Sequence, residues 1–579
     1  MNKKILLALM VVSGLALPNT ASSQIGNPFT GKGLVVSQCE YVSSLSATSP
    51  IQHEPYFRGE RELFGYRPRF VPNVISFDSR NIPYVRNQLV IQKWNPRSCI
   101  WEEIDLAPII RGKYPDWGGE TSDDINNHTD QRVVFDNQDN AYTLIPATGW
   151  SGIRRVLLMQ WIRSRDQWEI YEIPEQISGG AAVLEHFDSN NDKSRPPVIL
   201  GGNYLDSAWQ APESEEKPWR LLFDELGTDL FLVAPQRSTD GTLVIPDPVR
   251  VASKAFIPFV ATGGSNQILT KGNFTYVVWA SAERGTYWRG TASFIVRYDH
   301  ETQTVSEPVF LGATLGIASQ GLRHIDDPDG HNIPAITMDS EGYLHVVIGA
   351  HQRNFLYTKS LVPHNIQDGW TPPVSIGSSD PECTGSCHYY SYVSLIIDQN
   401  DTLHLVARWA GDEEGFSYRF SLVHLFKNRD AEWSTRKTIA RPFRTGYSHW
   451  YQKLDIDRRG RLFLYYTYYM NDFFVDEVAA YEAKWPEDPP LVASDPECSM
   501  TGSSASPRTY CNCGGVRAHD PVILVFDDRG ENWRIATSSD FLPPQNLPPL
   551  KKTRKLLQKA REPYFFDRLL EKSKQGLIK

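Results

Sequence analysis

The chain has 579 residues, a formal net charge of −9, and many aromatic and turn-forming residues, with 16 Trp, 26 Tyr, 40 Gly and 39 Pro. This negative balance excludes a general binder of nucleic acid or anionic membranes, so a polyanionic ligand would need a locally basic cleft. The composition is typical of short strands joined by turns. We therefore expect an all-β fold.

The first residues have the layout of a secretory signal peptide. Lys3 and Lys4 precede an apolar run over residues 5–17 and small residues before Gln24. The run is too short to anchor the chain, since a membrane helix needs about 18 or more apolar residues. We predict a signal peptide at 1–23, a secreted or periplasmic catalytic domain at 24–545 without membrane insertion, and a basic tail at 546–579, helical or flexible.

One strand–turn–strand pattern recurs along the chain, at residues 73–84, 133–144, 336–347, 394–406 and 453–465. In its three clearest copies the turn begins at Asp339, Asp398 and Asp457, at a constant spacing of 59 residues. A recurring unit of about four strands is typical of a propeller blade. Stacked β-sandwiches are the alternative, but they rarely repeat such a turn in register.

The repeat predicts a seven-bladed β-propeller, to within one blade. The predicted blades cover residues 70–108, 128–176, 181–252, 260–313, 329–378, 388–441 and 447–494. We expect residues 519–541 to pair back and close the ring.

Several residues able to carry chemistry occupy equivalent places in three blades. The first group of residues lies at the start of the strand before the Asp turn, where residues two apart share a face. The second group lies at or just beyond the end of the strand after the turn, which returns antiparallel to the first strand. The first group contains His331, Tyr390, Tyr392, His449 and Tyr451, and the second contains His351 and Arg408. We expect these side chains to meet near the propeller axis.

The cluster lacks a matched acidic pair, whereas hydrolysis of a glycoside usually needs two carboxylates. β-Elimination at a uronic acid needs a group that neutralises the carboxylate, a base and an acid. Arg, His and Tyr supply all three. The alternatives are a sialidase-like or other glycoside hydrolase and a non-catalytic glycan-binding propeller.

Residues 329–351, with His331 and His351, and residues 392–408, with Tyr392 and Arg408, resemble the seven-bladed ulvan lyases of polysaccharide lyase families twenty-four and twenty-five and related BNR-type propellers. The resemblance implies cleavage between a sulfated rhamnose and a uronic acid, leaving an unsaturated uronyl end. It implies that the His pair and Tyr392 exchange protons, that Arg408 holds the carboxylate, and that Tyr451 is a further catalytic tyrosine.

We add Asn332, Tyr390 and His449 as predicted substrate-binding residues. The expected partner is an anionic polysaccharide, without nucleic acid or an organic cofactor, and the oligomeric state stays open.

The seven cysteines leave at least one outside disulfides. By resemblance, Cys498, Cys511 and Cys513 would bind a structural zinc with His519 as candidate fourth ligand; disulfides involving Cys498 are the alternative. We expect a local disulfide between Cys383 and Cys387. The acidic loops at 188–192 and 326–330 are candidate calcium sites, and solvated turns are the alternative.

Overall fold

Seven antiparallel sheets follow one another around a common axis in the computed structural model. The structure describes residues 50–52, 74–87, 89–98, 100–115, 132–150, 153–177, 182–187, 190–202, 227–258, 266–316, 326–377, 389–413, 416–441, 449–468, 472–474, 483, 499–501, 510–512, 520–527 and 532–541. The predicted seven-bladed β-propeller is confirmed.

Blades 1 to 3 come from the first half of the chain, after the short strand β1 (Ile51–Gln52). Blade 1 is β2 (Ile75–Phe77), β3 (Pro83–Asn87), β4 (Val90–Asn95) and β5 (Ile100–Asp105), followed by helix α1 (Ala107–Lys113). Blade 2 is β6 (Val134–Phe135), β7 (Ala141–Trp150), β8 (Ile153–Ile162) and β9 (Gln167–Glu172). Blade 3 is β10 (Ala182–Leu184), β11 (Ile199–Gly202), β12 (Thr228–Val233) and β15 (Val249–Ala255), with a hairpin of β13 (Gln236–Arg237) and β14 (Leu243–Val244).

Blades 4 to 6 repeat the same arrangement. Blade 4 is β16 (Ile268–Lys271), β17 (Phe274–Ala280), β18 (Thr291–Asp299), β19 (Thr304–Val305) and β20 (Val309–Thr314). Blade 5 is β21 (Ala335–Met338), β22 (Leu344–Ile348), β24 (Leu356–Lys359) and β25 (Val374–Ser375), and β23 (His351–Arg353) leaves it to pair with blade 6. Blade 6 is β26 (Tyr389–Ile397), β27 (Leu403–Glu413), β28 (Phe416–Lys427) and β29 (Lys437–Arg441), and β1 pairs with β29 in parallel.

Blade 7 corrects one boundary, because its four strands come from two separated segments. Its strands are β30 (His449–Ile456), β31 (Leu462–Tyr468), β35 (Asp520–Asp527) and β36 (Asn532–Ile535). Between them, β32 (Asp472–Phe474), β33 (Ser499–Thr501) and β34 (Tyr510–Asn512) form a separate small sheet, so residues 447–494 are not a complete blade. A 3₁₀ helix (Ser538–Phe541) follows β36.

The Asp turn joins the inner two strands in five blades. The aspartate at the first turn position accepts the backbone N–H groups of the residues two and four places later. These aspartates are Asp78, Asp136, Asp339, Asp398 and Asp457. The fourth turn residue has positive φ, as at Asn81 (65°) and Gly342 (91°), a conformation that Asn, Asp and Gly tolerate best. The turn therefore explains why these residue types recur at this spacing.

The ring closes between blades 7 and 1. The Asn81 amide donates to Asp457 at 3.1 Å, and Arg458 donates to the carbonyl oxygens of Phe77 and Asp78. Residues 519–541 pair back as expected, because β35 pairs with β31 and β36 with β35. Phe541 at their end packs against Trp94 and Trp101 of blade 1.

The core lies between the blades. Separate clusters of buried side chains join neighbouring blades, and the one at the closure contains Ile75, Phe135 and Phe463. Because each blade is covered on both faces, strands such as Leu344–Ile348 are wholly buried and show no polar alternation.

No helix in the described part of the chain is long and apolar enough to cross a bilayer. The predicted signal peptide at 1–23 and the tail at 546–579 lie outside the described residues, as do Cys383, Cys387, Cys498, Cys513, His519 and the ends of the acidic loop at 188–189.

Candidate active site

Asp329 holds two histidines of blade 5 side by side. Its Oδ1 lies 2.7 Å from His331 Nδ1, and its Oδ2 lies 3.0 Å from His351 Nδ1. The imidazole rings stack with centroids 4.3 Å apart and an angle of 28° between planes. Because an ionised carboxylate only accepts hydrogen bonds, each Nδ1 donates, which leaves each Nε2 as the ring nitrogen that can accept a proton.

The two histidines differ in exposure. The side chain of His331 is 27% exposed and that of His351 only 5%. Burial, together with the neighbouring His331, lowers the pKa of His351 to about 4 against the opposing effect of Asp329. Burial alone would raise the pKa of Asp329, but His351 and His331 outweigh it and hold that pKa well below its usual range.

The strand register brings residues from two blades together around Ser391. On one side, His351 of β23 lies opposite Ser391 of β26; on the other side, Arg408 of β27 lies opposite the same residue. The Ser391 hydroxyl also accepts the backbone N–H of Gln352 at 3.0 Å. The predicted return of His351 and Arg408 to the strand starts is therefore seen in the structure.

Tyr392 lies at a β-bulge directly after Ser391. The register of β26 against β27 shifts between Ser391 and Ser394, and Tyr392 has φ 62°. The inner strand of blade 7 shifts in the same way between Trp450 and Lys453, and Tyr451 has φ 51°. Positive φ is rare for a bulky residue and is found mainly where surrounding structure enforces it, often at functional sites.

The Tyr392 ring contacts all the other candidate catalytic side chains. Its centroid lies 6.0 Å from that of His351, with the planes 12° apart, and 6.2 Å from that of His331. The Tyr451 ring lies at 6.1 Å. The guanidinium carbon of Arg408 lies 3.8 Å from the Tyr392 centroid, a cation–π contact. The five predicted catalytic residues therefore lie at one place.

Two of the three predicted substrate-binding residues are buried away from the site, and the side chain of the third lies outside the described part of the chain. Tyr390 is buried in the core between blades 5 and 6, where its ring stacks on Phe355 at 5.6 Å, because the bulge breaks the alternation that would have given it the face of Tyr392. Asn332 is fully buried, and its amide donates to the Thr314 hydroxyl at 3.0 Å. We therefore correct both to structural residues. His449 begins β30, and its side chain lies outside the described part.

Sequence reasoning missed two residues that build the site. Asp329 is predicted only as part of a candidate calcium loop, although it lies two residues before His331. Gln452 is buried, and its amide donates to the carbonyl oxygen of Tyr392. The position of Gln452 directly after Tyr451 does not indicate a role in the site. The spacing of Asp329 and His331 does, because an aspartate two residues before a histidine can accept its ring N–H.

Asp329, His331 and His351 also offer one ligand atom each within 4.8 Å of one another, so their donor set suits a divalent cation. The observed contacts instead join each Nδ1 directly to the carboxylate. Of the predicted zinc ligands, Cys511 lies in β34, and the other three lie outside the described residues.

Comparisons with known proteins find one family model and several solved structures that are similar to this chain. Residues 284–541 match the family model described as a BNR repeat-containing family member, and no curated protein matches the chain. An ulvan lyase of family PL25 is 16% identical with a TM-score of 0.32, covering 49% of this chain and 56% of that protein.

The polysaccharide lyase Uly1 is 11% identical with a TM-score of 0.31, covering 73% of this chain and 91% of its own. A Trypanosoma rangeli sialidase is 10% identical with a TM-score of 0.30, covering 60% of this chain and 52% of its own. The predicted resemblance to BNR-type propellers and ulvan lyases is confirmed. At such identities these likenesses concern the fold alone, and this chain spans just over half of the PL25 enzyme.

Proposed function

We propose that this protein is a polysaccharide lyase that cleaves an anionic polysaccharide by β-elimination at a uronic acid, with ulvan as the favoured polymer. The observation that carries the proposal is the arrangement of Asp329, the stacked His331 and His351, and Tyr392 under Arg408. The sequence resemblance at residues 329–351 and 392–408 favours ulvan over other uronate polymers.

In this mechanism Arg408 binds the uronate carboxylate, which makes the C5 proton more acidic. His331, the more exposed of the pair, takes that proton at Nε2, while Asp329 accepts its Nδ1–H and fixes the tautomer. The electron pair of the C5–H bond forms the C4=C5 double bond, and the C4–O4 bond breaks. The Tyr392 hydroxyl donates its proton to the departing O4.

The remaining residues hold this arrangement. His351 is neutral at physiological pH because burial lowers its pKa, so it packs against His331 without adding charge. Tyr451 borders the same space beside Tyr392. Both Asp329 oxygens accept hydrogen bonds from imidazole nitrogens, so Asp329 does not suit the role of a catalytic carboxylate in a glycoside hydrolase.

The test is the ultraviolet absorbance of unsaturated uronyl ends after incubation with ulvan, heparin, chondroitin sulfate, alginate or polygalacturonate. We expect a product from the wild type, and a loss of about 10²–10⁴-fold in rate for Tyr392→Phe and for His331→Ala. Tyr298 and His300 form a similar Tyr–His contact at 5.0 Å in blade 4, so Tyr298→Phe and His300→Ala are matched controls that retain activity.

New reducing ends without unsaturation would replace the proposal by a glycoside hydrolase. Binding of a polymer without any product would indicate a glycan-binding propeller. Product on a polymer other than ulvan would keep the reaction and change the substrate.

A further inference from the structure

A row of aromatic rings leads from the core of blade 4 to its surface. Trp279 stacks on Phe294 with centroids 4.8 Å apart, and Phe294 contacts Phe310 of the outer strand at 5.6 Å. Trp288 stacks on Phe310 at 5.7 Å. Phe310 is 47% exposed, and Tyr287, next to Trp288, is 95% exposed. We call Tyr287, Trp288 and Phe310 the aromatic shelf.

The loop that carries Tyr287 and Trp288, residues 283–290, is held firmly. A Cβ at Gly285 would overlap the Trp288 ring, and Gly290, at φ 76°, leaves no room for a Cβ beside the Thr314 carbonyl. Ion pairs of 2.6 Å join Arg284 to Asp327 and Arg289 to Asp326. The backbone beside Tyr287 is held by these contacts, so binding there would order mainly the tyrosine side chain itself.

The same contacts connect the shelf to the candidate active site. Asp327 is two residues from Asp329, about 7 Å of extended chain at most. Thr291, directly after the loop, accepts the backbone N–H of Asp329 through its hydroxyl at 2.7 Å. Residues 326–329 therefore contact the loop of the shelf through Asp326 and Asp327 and the two histidines through Asp329.

We propose that the aromatic shelf is a binding subsite for a sugar ring of the polysaccharide, remote from the bond that is cleaved. The proposal rests on the proposed function for the identity of the polymer. An exposed ring face is electron-rich and attracts the C–H groups of a pyranose face, and apolar contact adds to this. Exposed aromatic side chains at a distance from the cleaved bond are therefore suited to positioning a long glycan.

Arg284 and Arg289 flank Tyr287 and Trp288 in the sequence, and each is paired with an aspartate. The side chains of Arg284 and Arg289 are 62% and 65% exposed, and each pairs with its aspartate at 2.6 Å. A guanidinium has five N–H donors, so further donors are available to a sulfate or carboxylate group.

The shelf is too small for a stable protein partner. A standard protein interface buries about 800 Å² on each side. Three aromatic side chains of about 150–250 Å² each, two of them partly buried here, offer less than that. A sugar chain, which needs only single ring faces, fits the area.

The test measures binding apart from catalysis, by electrophoresis of the full-length protein through gels that contain ulvan. We expect Tyr287→Ala to weaken retardation by about three- to tenfold, the range given by one aromatic contact, and Tyr287→Phe to bind within about twofold of the wild type. Leu361→Ala is the matched control, since Leu361 is 54% exposed and follows β24 at the Asp-turn end of blade 5. In the lyase assay, Tyr287→Ala should raise KM by the same factor and leave kcat unchanged.

The outcomes separate this inference from the proposed function. Weaker binding by Tyr287→Ala supports the subsite even when no unsaturated product forms, in which case only the lyase proposal fails. Equal binding and equal KM for Tyr287→Ala and wild type would overturn the subsite even if the protein is a lyase. A wild type that is not retarded by ulvan or the other acidic polymers would overturn it as well.

Discussion

Arg408 lies against the face of Tyr392, with its guanidinium carbon 3.8 Å from the ring centroid, while both residues are buried. A buried guanidinium on an aromatic face has a fixed position, and its planar fork matches a carboxylate. The Arg408–Tyr392 contact thus places a carboxylate receptor next to a hydroxyl that can donate a proton.

This contact predicts the effect of Arg408→Lys. A lysine keeps the charge but loses the planar fork, so we expect kcat/KM on a uronate polymer to fall about 10²-fold or more. Arg436→Lys is the control, because Arg436 lies in the same way over Trp409, at 3.6 Å, outside the site. Similar losses in both variants would contradict the assigned role of Arg408.

Asp329→Asn should disable the histidine pair without unfolding the protein. The amide NH₂ cannot accept a hydrogen bond, so at least one imidazole changes tautomer or orientation, and we expect kcat to fall about 10²–10⁴-fold. Circular dichroism checks the fold, and Asp326→Asn is the nearby control. Wild-type kcat in Asp329→Asn would show that Asp329 does not position the catalytic histidines.

The pKa of His351 predicts how stability depends on pH. Between its ordinary value of 6.5 and its folded value of about 4, the unfolded chain binds a proton at this residue and the folded protein does not. Stability contributed by neutral His351 is therefore complete above pH 6.5 and decreases as the pH falls toward 4.

His351→Asn should remove this part of the dependence. We expect the slope of unfolding free energy against pH to decrease by up to about 1.4 kcal/mol per pH unit, the value for one proton. Urea unfolding at a series of pH values measures it. An unchanged slope would mean that His351 titrates normally in the folded protein.

The Asp turns also join neighbouring blades, which predicts a loss of stability without loss of activity. Asp139 of blade 2 accepts the backbone N–H of Ser79 in blade 1 at 2.7 Å and pairs with Arg163 at 2.8 Å. Asp139→Asn keeps the positive φ of 62° but loses the charge, and we expect it to lower the unfolding free energy by about 1–3 kcal/mol.

Asp166→Asn is the matched control, because Asp166 has φ 58° but is exposed. Its unfolding free energy should stay within about 0.5 kcal/mol of the wild type. Equal stability of Asp139→Asn and Asp166→Asn would exclude a structural role for the contact between blades 1 and 2.

We also propose that the protein binds one structural zinc through Cys498, Cys511 and Cys513, with His519 as candidate fourth ligand. Chelation of the purified protein should release zinc and lower the thermal unfolding temperature, and Cys511→Ser should bind no zinc. Metal analysis and thiol titration measure this. A zinc-free protein with Cys498 in a disulfide would contradict the proposal.

Much of this architecture follows from local chemistry that is visible in the sequence. The spacing of Asp339, Asp398 and Asp457 predicts the blades because the turn needs a carboxylate at its first position and a residue that tolerates positive φ at its fourth. The meeting of His351 with Arg408 follows from antiparallel return. The turn depends on contacts a few residues apart along the chain, and the meeting of His351 with Arg408 depends on the pairing of both strands with β26.

Other features depend on distant partners and could not be predicted in the same way. Strict alternation puts Tyr390 and Tyr392 on one face, but a bulge of β26 turns only Tyr392 toward the histidines. The outer strands of blade 7 follow a separate small sheet, and no local pattern shows that this sheet separates β31 from β35. In the sequence, Asp329 resembles any other acidic loop residue, and only the structure shows that both histidines contact it.

The closure of the ring has a consequence for how the protein is made. Asn81 and Asp457 are 376 residues apart in the chain, so their contact forms only after nearly the whole propeller has been synthesised. Until then, apolar side chains such as Ile75 in blade 1 have no Phe463 to pack against, and such faces are prone to aggregation. A chain that is exported while unfolded would therefore depend on chaperones until the last blade arrives.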